Sequence, residues 1–329
     1  MKKISLLVAI SLSIVSCKET QKKDANIAIV NSSTITQSKN NIGIDTATVK
    51  KHLYTLAHDD MQGRKPGTKG IEKAAKYIES EFKKIGLKPF KDLTAYRQNF
   101  EHKNIKMFNV LGVLEGKSKK DEFVIVSAHY DHLGVKESGE GDLIYNGAND
   151  DASGVVGILA LAEYFAKKDN NERSILFVAF TAEEMGLIGS KYFGKNIDAN
   201  KFIAGINLEL IGKEPKTGPK TAWLTGFDRS NFGKIIQKNL KGTGYRLFPD
   251  PYPKFNLFFR SDNASLARLG VPSHTFSTTP IDIDKDYHKT SDEAETLDVG
   301  ILTETIKAVA VGTTTIINGT DTPSRVVIE

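Results

Sequence analysis

An α/β fold, built on a mostly parallel mixed sheet with helices on both faces, is predicted by three observations. Short runs rich in Val, Ile and Phe, such as Phe123 to Val126 and Ser174 to Phe180, are bounded by polar residues and read as buried strands. Segments with apolar residues at helical spacing alternate with these runs, which implies a sheet covered on both sides. Three clusters, Ser127-Ala-His-Tyr-Asp-His132, Gly147-Ala-Asn-Asp-Asp-Ala-Ser-Gly154 and Thr181-Ala-Glu-Glu-Met-Gly186, sit where apolar runs stop. Open α/β sheets collect ligands beyond the carboxyl ends of their strands, so the clusters are expected to converge on one crevice.

With 329 residues, 40% hydrophobic and 26% charged, the chain can bury a sizeable core and is expected to form one domain over residues 45–329. The formal net charge of +5 comes from 45 basic and 40 acidic residues, scattered rather than gathered in a stripe. That distribution argues against nucleic acid as the main partner. Met1-Lys-Lys and the apolar run Ile4 to Ser16 are too short for an ordinary membrane span and read as a signal peptide over residues 1–16. Cys17 is the single cysteine and has no partner for an intrachain disulfide. Residues 17–44, rich in Lys, Asn, Ser, Thr and Gln, read as a flexible tether. Ser13-Ile-Val-Ser16 before Cys17 resembles the lipobox of bacterial lipoproteins. This implies a lipid on Cys17 and an exported, membrane-anchored protein facing the periplasm or the cell surface.

In order along the chain, Thr48 to Ala57 and Thr68 to Ile85 are expected helices, the second ended by Gly86. Phe108 to Leu114 and Phe123 to Val126 read as neighbouring strands joined through Gly116-Lys-Ser-Lys-Lys120. Ser153 to Ala166 reads as a buried helix, Ile175 to Phe180 as the most hydrophobic strand and Gly186 to Phe193 as a short helix. Further strands are expected at Phe202 to Leu208, Ala222 to Leu224, Tyr245 to Phe248 and Ser273 to Phe276. Helices are expected at Arg229 to Leu240, Asn263 to Leu269 and Ile301 to Ile316.

Zinc takes nitrogen, sulfur or carboxylate ligands, and without a usable thiol the candidates are His, Asp and Glu. The most economical set is His129, Asp150, Glu184, Glu209 and His288. Two dications held side by side lower the pKa of a water and polarise a carbonyl, which is the chemistry of a two-metal hydrolase. Of adjacent Glu183 and Glu184, one can bind metal while the other moves a proton. Asp131, two residues past His129, can accept the second imidazole proton. His132 stands between a supporting role and simple loop packing.

These motifs resemble those of the zinc aminopeptidase superfamily, which includes secreted bacterial leucyl aminopeptidases, aminopeptidase Y and glutamate carboxypeptidase. The likeness runs from about Lys50 to Ile317 and includes Gly63-Arg-Lys-Pro-Gly67, Gly86-Leu-Lys-Pro89 and Tyr287-His-Lys-Thr-Ser-Asp292. It implies a zinc-exopeptidase-like (phosphorylase/hydrolase-like) fold and two Zn2+ ions or other divalent metals. His129 and Glu209 would bind the first metal, Asp150 would bridge, and Glu184 and His288 would bind the second. The resemblance further implies Glu183 as general base and a cis Asp150–Asp151 bond, with Asp151, Asp262 and Asp292 supporting the site. Glu209 falls where many relatives have Asp. Asn263, in Ser261-Asp-Asn263, departs from the usual Ser-Asp-His or Ser-Asp-Tyr and removes a candidate for oxyanion support.

Tyr252, Phe255, Phe258, Phe259 and Arg260 belong to a loop that either walls an apolar substrate pocket, favouring large apolar amino-terminal residues, or packs down on the domain. The expected activity is removal of amino-terminal residues from peptide substrates; the oligomeric state stays open. A glutaminyl-peptide cyclase is the alternative within the fold, although its pocket is rich in tryptophan and this chain has only Trp223. A related carboxypeptidase would need cations such as Arg260 for the substrate carboxylate. A non-catalytic lipid-anchored binding protein is the alternative of another class, and it predicts missing ligands.

Overall fold

The computed structural model describes residues 42–328. Cys17, the leader and the expected tether up to residue 41 lie outside the described residues. From Gly43 onward the chain forms one compact unit.

The strands are β1 (Lys88–Pro89), β2 (Arg97–His102), β3 (Ile105–Leu114), β4 (Lys119–His129), β5 (Gly134–Val135), β6 (Ile144–Tyr145), β7 (Arg173–Phe180), β8 (Phe202–Leu208), β9 (Thr221–Leu224), β10 (Arg246–Pro249) and β11 (Ser273–Ser277). Nine of them form one sheet in the order β1-β3-β7-β4-β8-β11-β9-β10, with β2 paired to β3, while β5 and β6 pair separately. The four central strands β7, β4, β8 and β11 run parallel. Antiparallel pairs lie to either side, between β3 and β7 and between β11 and β9.

All eight residues of β7 are buried. Leu176, Val178 and Phe180 join Ile125, Phe193, Phe202 and Leu266 in a cluster on one face. Each such side chain contributes about 1.5–3 kcal/mol through burial. Helices Ile188–Lys195 and Asn263–Ala267 pack on one another and on this sheet, while Thr46–Leu56, Lys69–Ile85, Ser153–Lys168 and Val299–Gly312 form a second group packed around Ser153–Lys168. The caps are local: the Asp45 carboxylate accepts from Thr48 N–H at 2.9 Å, and Gly86 closes its helix at φ 88°.

Two strand expectations need correction. Phe108–Leu114 and Phe123–Val126 are not neighbours, because β7 lies between β3 and β4 and pairs with both. The connection crosses the start of β7 through Gly116, whose N–H donates to Ser174 Oγ at 3.0 Å and where a Cβ would collide with the backbone of Glu172 and Ser174. A central position suits β7, the run with no polar side to expose. Second, β2 forms a hairpin with β3 through Lys103 and Asn104, both at positive φ. Its Arg-Gln-Asn-Phe-Glu-His sequence carries one apolar residue and gives no strand signal.

Candidate metal centre

His129 is the last residue of β4, Glu183 and Glu184 follow β7, and Glu209 follows β8; these three strands are adjacent. Asp150 comes from the turn before helix Ser153–Lys168, and His288 from the loop after β11. Ala182, Leu210 and His288 have φ of 54°, 54° and 58°. Left-handed backbone costs a non-glycine residue about 1–2 kcal/mol, so neighbouring contacts must hold these turns. At Leu210 the carbonyl accepts from Thr279 N–H at 3.1 Å, Thr279 Oγ1 at 2.7 Å and Ser277 Oγ at 3.1 Å.

The side chains meet at short range. His129 Nε2 is 3.1 Å from Asp150 Oδ1, and His288 Nε2 is 3.1 Å from both Asp150 Oδ2 and Glu184 Oε2. His132 Nδ1 approaches the other Glu184 oxygen at 2.8 Å. His132, Asp150 and Glu184 each offer an atom within 4.8 Å of the other two. Yet His129 Nε2, both His132 nitrogens, Asp150 Oδ2, Glu184 Oε1 and Glu209 Oε2 are buried without a hydrogen-bond partner. Buried polar atoms are normally paired. Nitrogens and carboxylate oxygens that converge without bonding one another form a donor set suited to zinc, whose tetrahedral bonds of 2.0–2.2 Å separate ligand atoms by roughly 3.3 Å.

Electrostatics support the same chemistry. Burial pushes Asp131 and Glu209 up to about 7, and Asp262 and Asp292 to about 6. Burial, together with Glu209, Asp262 and Glu184, also raises Glu183 well above the usual carboxylate range. Asp150 goes the other way: burial opposes its charge, but contacts with His129 and His288 hold it ionised. His288 is pushed up to about 10, against the effect of burial, by Asp150 and Glu184. Buried acids whose protons are held this far above the ordinary carboxylate range are ones that dications can discharge.

Behind this shell, carboxylates hold backbone. Asp292 accepts from Asn149 N–H at 2.9 Å and Asp150 N–H at 3.0 Å. Asp151 Oδ1 accepts from Gly154 N–H at 3.0 Å and Leu210 N–H at 3.3 Å, tying two ligand-bearing turns together. The Asp150–Asp151 bond is cis. Asp262 is fully buried, with both oxygens unpaired. Asp131 corrects an expectation: its backbone carbonyl, not its carboxylate, lies 3.1 Å from His129 Nδ1. Arg64 is buried and donates to the carbonyls of Tyr130 at 2.9 Å, Leu56 at 2.8 Å and Gly147 at 2.8 Å, and also to that of Asn146.

The substrate wall also differs from expectation. A cavity of about 40 Å³ beside Glu209 is lined by Trp223, Leu257, Arg260, Ile281 and Tyr287. A wider cleft of about 380 Å³ holds the metal-site carboxylates and reaches Phe259 and Arg260. Phe258 is buried in a cluster with Ala267 and Val326, and Tyr252 and Phe255 pack on one another beside Trp223, so these three aromatics line neither space. Asn263 also turns inward, donating to Phe258 O at 3.0 Å and accepting from Thr275 Oγ1 at 2.9 Å. Tyr287, overlooked in the sequence although it precedes His288, lines both spaces. Burial and the nearby carboxylates keep its hydroxyl protonated and able to donate.

A mixed sheet whose parallel strand ends gather unpaired histidine and carboxylate atoms has the build of a metal-dependent hydrolase. The chain belongs to peptidase family M28, whose model matches residues 109–312. Among curated relatives, a vacuolar membrane protease of Schizosaccharomyces pombe is 32% identical over 139 residues, which is 42% of this chain and 14% of that protein. A probable zinc metalloprotease of Pyricularia oryzae is 36% identical over 110 residues, covering 33% of this chain and 22% of its own length. The matches thus span less than a quarter of either relative. Among solved structures, a zinc aminopeptidase of Bacillus subtilis aligns with TM-score 0.70 at 15% identity, over 88% of this chain and 99% of that one. Porphyromonas gingivalis glutaminyl cyclase aligns with TM-score 0.65 at 16% identity, over 83% and 99%. These likenesses are of fold.

Proposed function

We propose that the protein is a two-zinc aminopeptidase that removes small to medium apolar residues from the amino ends of peptides. His129 and Glu209 would hold one ion, Glu184 and His288 the other, and Asp150 would serve both. The observation that carries this reading is the convergence of unpaired ligand atoms on the ends of β4, β7 and β8. When bound, the zinc ions supply Lewis acidity toward a water and the scissile carbonyl. Glu183, relieved of its proton once dications offset the surrounding carboxylates, would accept a proton from the attacking water and pass it to the leaving amine. The Tyr287 hydroxyl is a neutral donor for the developing oxyanion. His132 Nδ1 stands 2.8 Å from the Glu184 oxygen that faces away from His288.

The cavity beside Glu209 suits an apolar first residue. One water centre needs about 10–15 Å³, so about 40 Å³ admits a short apolar side chain. At the other end of the chain, Cys17 carries lipid and the segment before Gly43 tethers the peptidase to a membrane. Among the described residues no helix is long and apolar enough to cross one.

The test is a panel of aminoacyl-arylamides with wild type, Glu183→Gln and chelated protein. Alanyl, valyl and leucyl substrates should be cleaved fastest, and activity should vanish in the variant and on chelation. Cleavage of amino-blocked peptides, or activity that survives both changes, would reject the reading. A cyclised product from Gln-peptides without hydrolysis would favour the cyclase. Mass spectrometry of the mature amino terminus tests Cys17.

A further inference from the structure

The metal-site cleft carries a second chemical signal at its mouth. Lys191, Arg260 and Arg268 line it and are exposed. None of the three makes an ion pair among the described residues, although four carboxylates line the same cleft. The Lys191 ammonium reaches only the carbonyl of Gly186, at 2.9 Å, and the Arg268 guanidinium lies 5.3 Å from the Phe259 ring centre.

Their placement is built into the fold. Lys191 stands on helix Ile188–Lys195, and Arg268 is the C-cap of helix Asn263–Ala267. The two helices are locked by the buried Ser190 Oγ–Ser265 Oγ hydrogen bond of 2.8 Å, one residue from Lys191 and three from Arg268. The small apolar cavity on the Glu209 side shares Arg260 but includes neither Lys191 nor Arg268. The site therefore joins a small apolar cavity, shared at Glu209, Arg260 and Tyr287, to a wider cleft that holds both the carboxylates and the three cations.

Building on the aminopeptidase reading, we infer that Lys191, Arg260 and Arg268 bind a carboxylate on the leaving side of the scissile bond, so that the preferred substrates are di- and tripeptides with a free carboxyl end. An apolar first side chain enters beside Trp223, and the negative group that follows the cleaved bond meets the three cations. Guanidinium and ammonium groups suit a carboxylate because each hydrogen bond is charge-assisted. A long peptide offers the same chemistry only where an acidic side chain follows the bond.

The experiment compares Leu-Gly, leucyl-glycinamide and leucyl-aspartic diamide on zinc-loaded wild type and on Lys191→Met/Arg268→Met, both exposed positions. Wild type should cleave Leu-Gly with kcat/KM about tenfold above the amide, the difference lying in KM and shrinking in 0.5 M NaCl as screening sets in. In the double variant the acid-to-amide ratio should fall toward one. Leucyl-aspartic diamide cleaved as well as Leu-Gly assigns the cations to acidic side chains, and cleaved like the amide assigns them to the chain end. Equal rates for Leu-Gly and the amide in wild type, or an unchanged ratio in the variant, overturn the inference. Cleavage of the amide by wild type tests the aminopeptidase reading separately. Calorimetric binding of Leu-Gly and the amide to Glu183→Gln reads the same ratio without turnover, so the inference is decided even if no substrate is cleaved.

Discussion

The Asp131 carboxylate accepts the backbone N–H of Glu183 at 3.1 Å while standing 3.8 Å from His129 Nδ1. Its second oxygen receives Glu184 N–H at 3.4 Å. One residue thereby fixes three neighbours: its carbonyl orients His129, and its carboxylate sets the turn that presents both glutamates. Asp131→Asn keeps the volume but turns an amide N–H toward a backbone N–H. Expected is a fall in kcat of about 10–100-fold, the usual effect of disturbing a ligand's support, with zinc content by metal analysis unchanged. A kcat within twofold of wild type would show that the turn holds without this carboxylate.

The raised carboxylates make zinc binding depend on pH in a definite direction. In the metal-free protein Asp131 and Glu209 titrate at about 7, and Asp262 and Asp292 at about 6, all above the values of an unfolded chain. The folded form then binds more protons than the unfolded one between roughly pH 4 and 7, so its stability falls as pH rises through that window. Zinc takes the place of those protons. The gain in Tm on adding zinc to chelated protein is expected to be larger at pH 8 than at pH 6, with proton release on titration. Equal gains at both pH values would remove these groups from the metal's surroundings.

Arg64 accounts for the Gly63-Arg64 lead-in in physical terms. Gly63 has φ 59°, and a Cβ there would collide with the carbonyls of Gly134 and Tyr145, which lets Arg64 pass between the two segments. Its guanidinium ties Tyr130, beside His129, to Gly147, three residues before Asp150. Arg64→Lys keeps the charge but loses the planar fork, leaving two or more buried carbonyls without donors at about 1–3 kcal/mol each. Thermal unfolding in chelator should show a loss of about 3–5 kcal/mol, and zinc affinity should weaken as well. A Tm unchanged within error would contradict the clamp.

How much of this was legible depended on where each residue lies. His129, Glu183, Glu184 and Glu209 follow apolar strands, so the crevice could be located before the sheet order was known. His288 sits in a loop without periodicity and was found through its motif alone. Strand order was hidden because periodicity reports burial and not pairing, which is why β7 came between β3 and β4. Of the aromatics at 252–259 only Phe259 faces the cleft, while Tyr252, Phe255 and Phe258 pack away from it, a division that a loop without fixed alternation does not announce. Trp223, Ile281 and Tyr287 line the real cavity from three distant segments, a juxtaposition that only the fold creates.

His274 offers a measure of acid stability away from the metal centre. It is buried in β11, stacked on Phe232 with ring centres 5.1 Å apart, with Nε2 2.8 Å from Ser230 Oγ and Nδ1 2.9 Å from Thr225 O. Burial lowers its pKa from 6.5 to about 4, helped by the charge of Arg229. A depressed folded value means that the unfolded chain takes up the proton first. Its contribution is complete above pH 6.5 and is lost as pH falls toward 4, on the order of 3 kcal/mol in all. His274→Gln removes this titration, although it also lowers stability at pH 7 through lost stacking. Urea midpoints measured in chelator at pH 7, 5.5 and 4.5 should therefore converge for wild type and variant as the pH drops. Midpoints that keep a constant separation would mean that His274 titrates alike in the folded and unfolded chains.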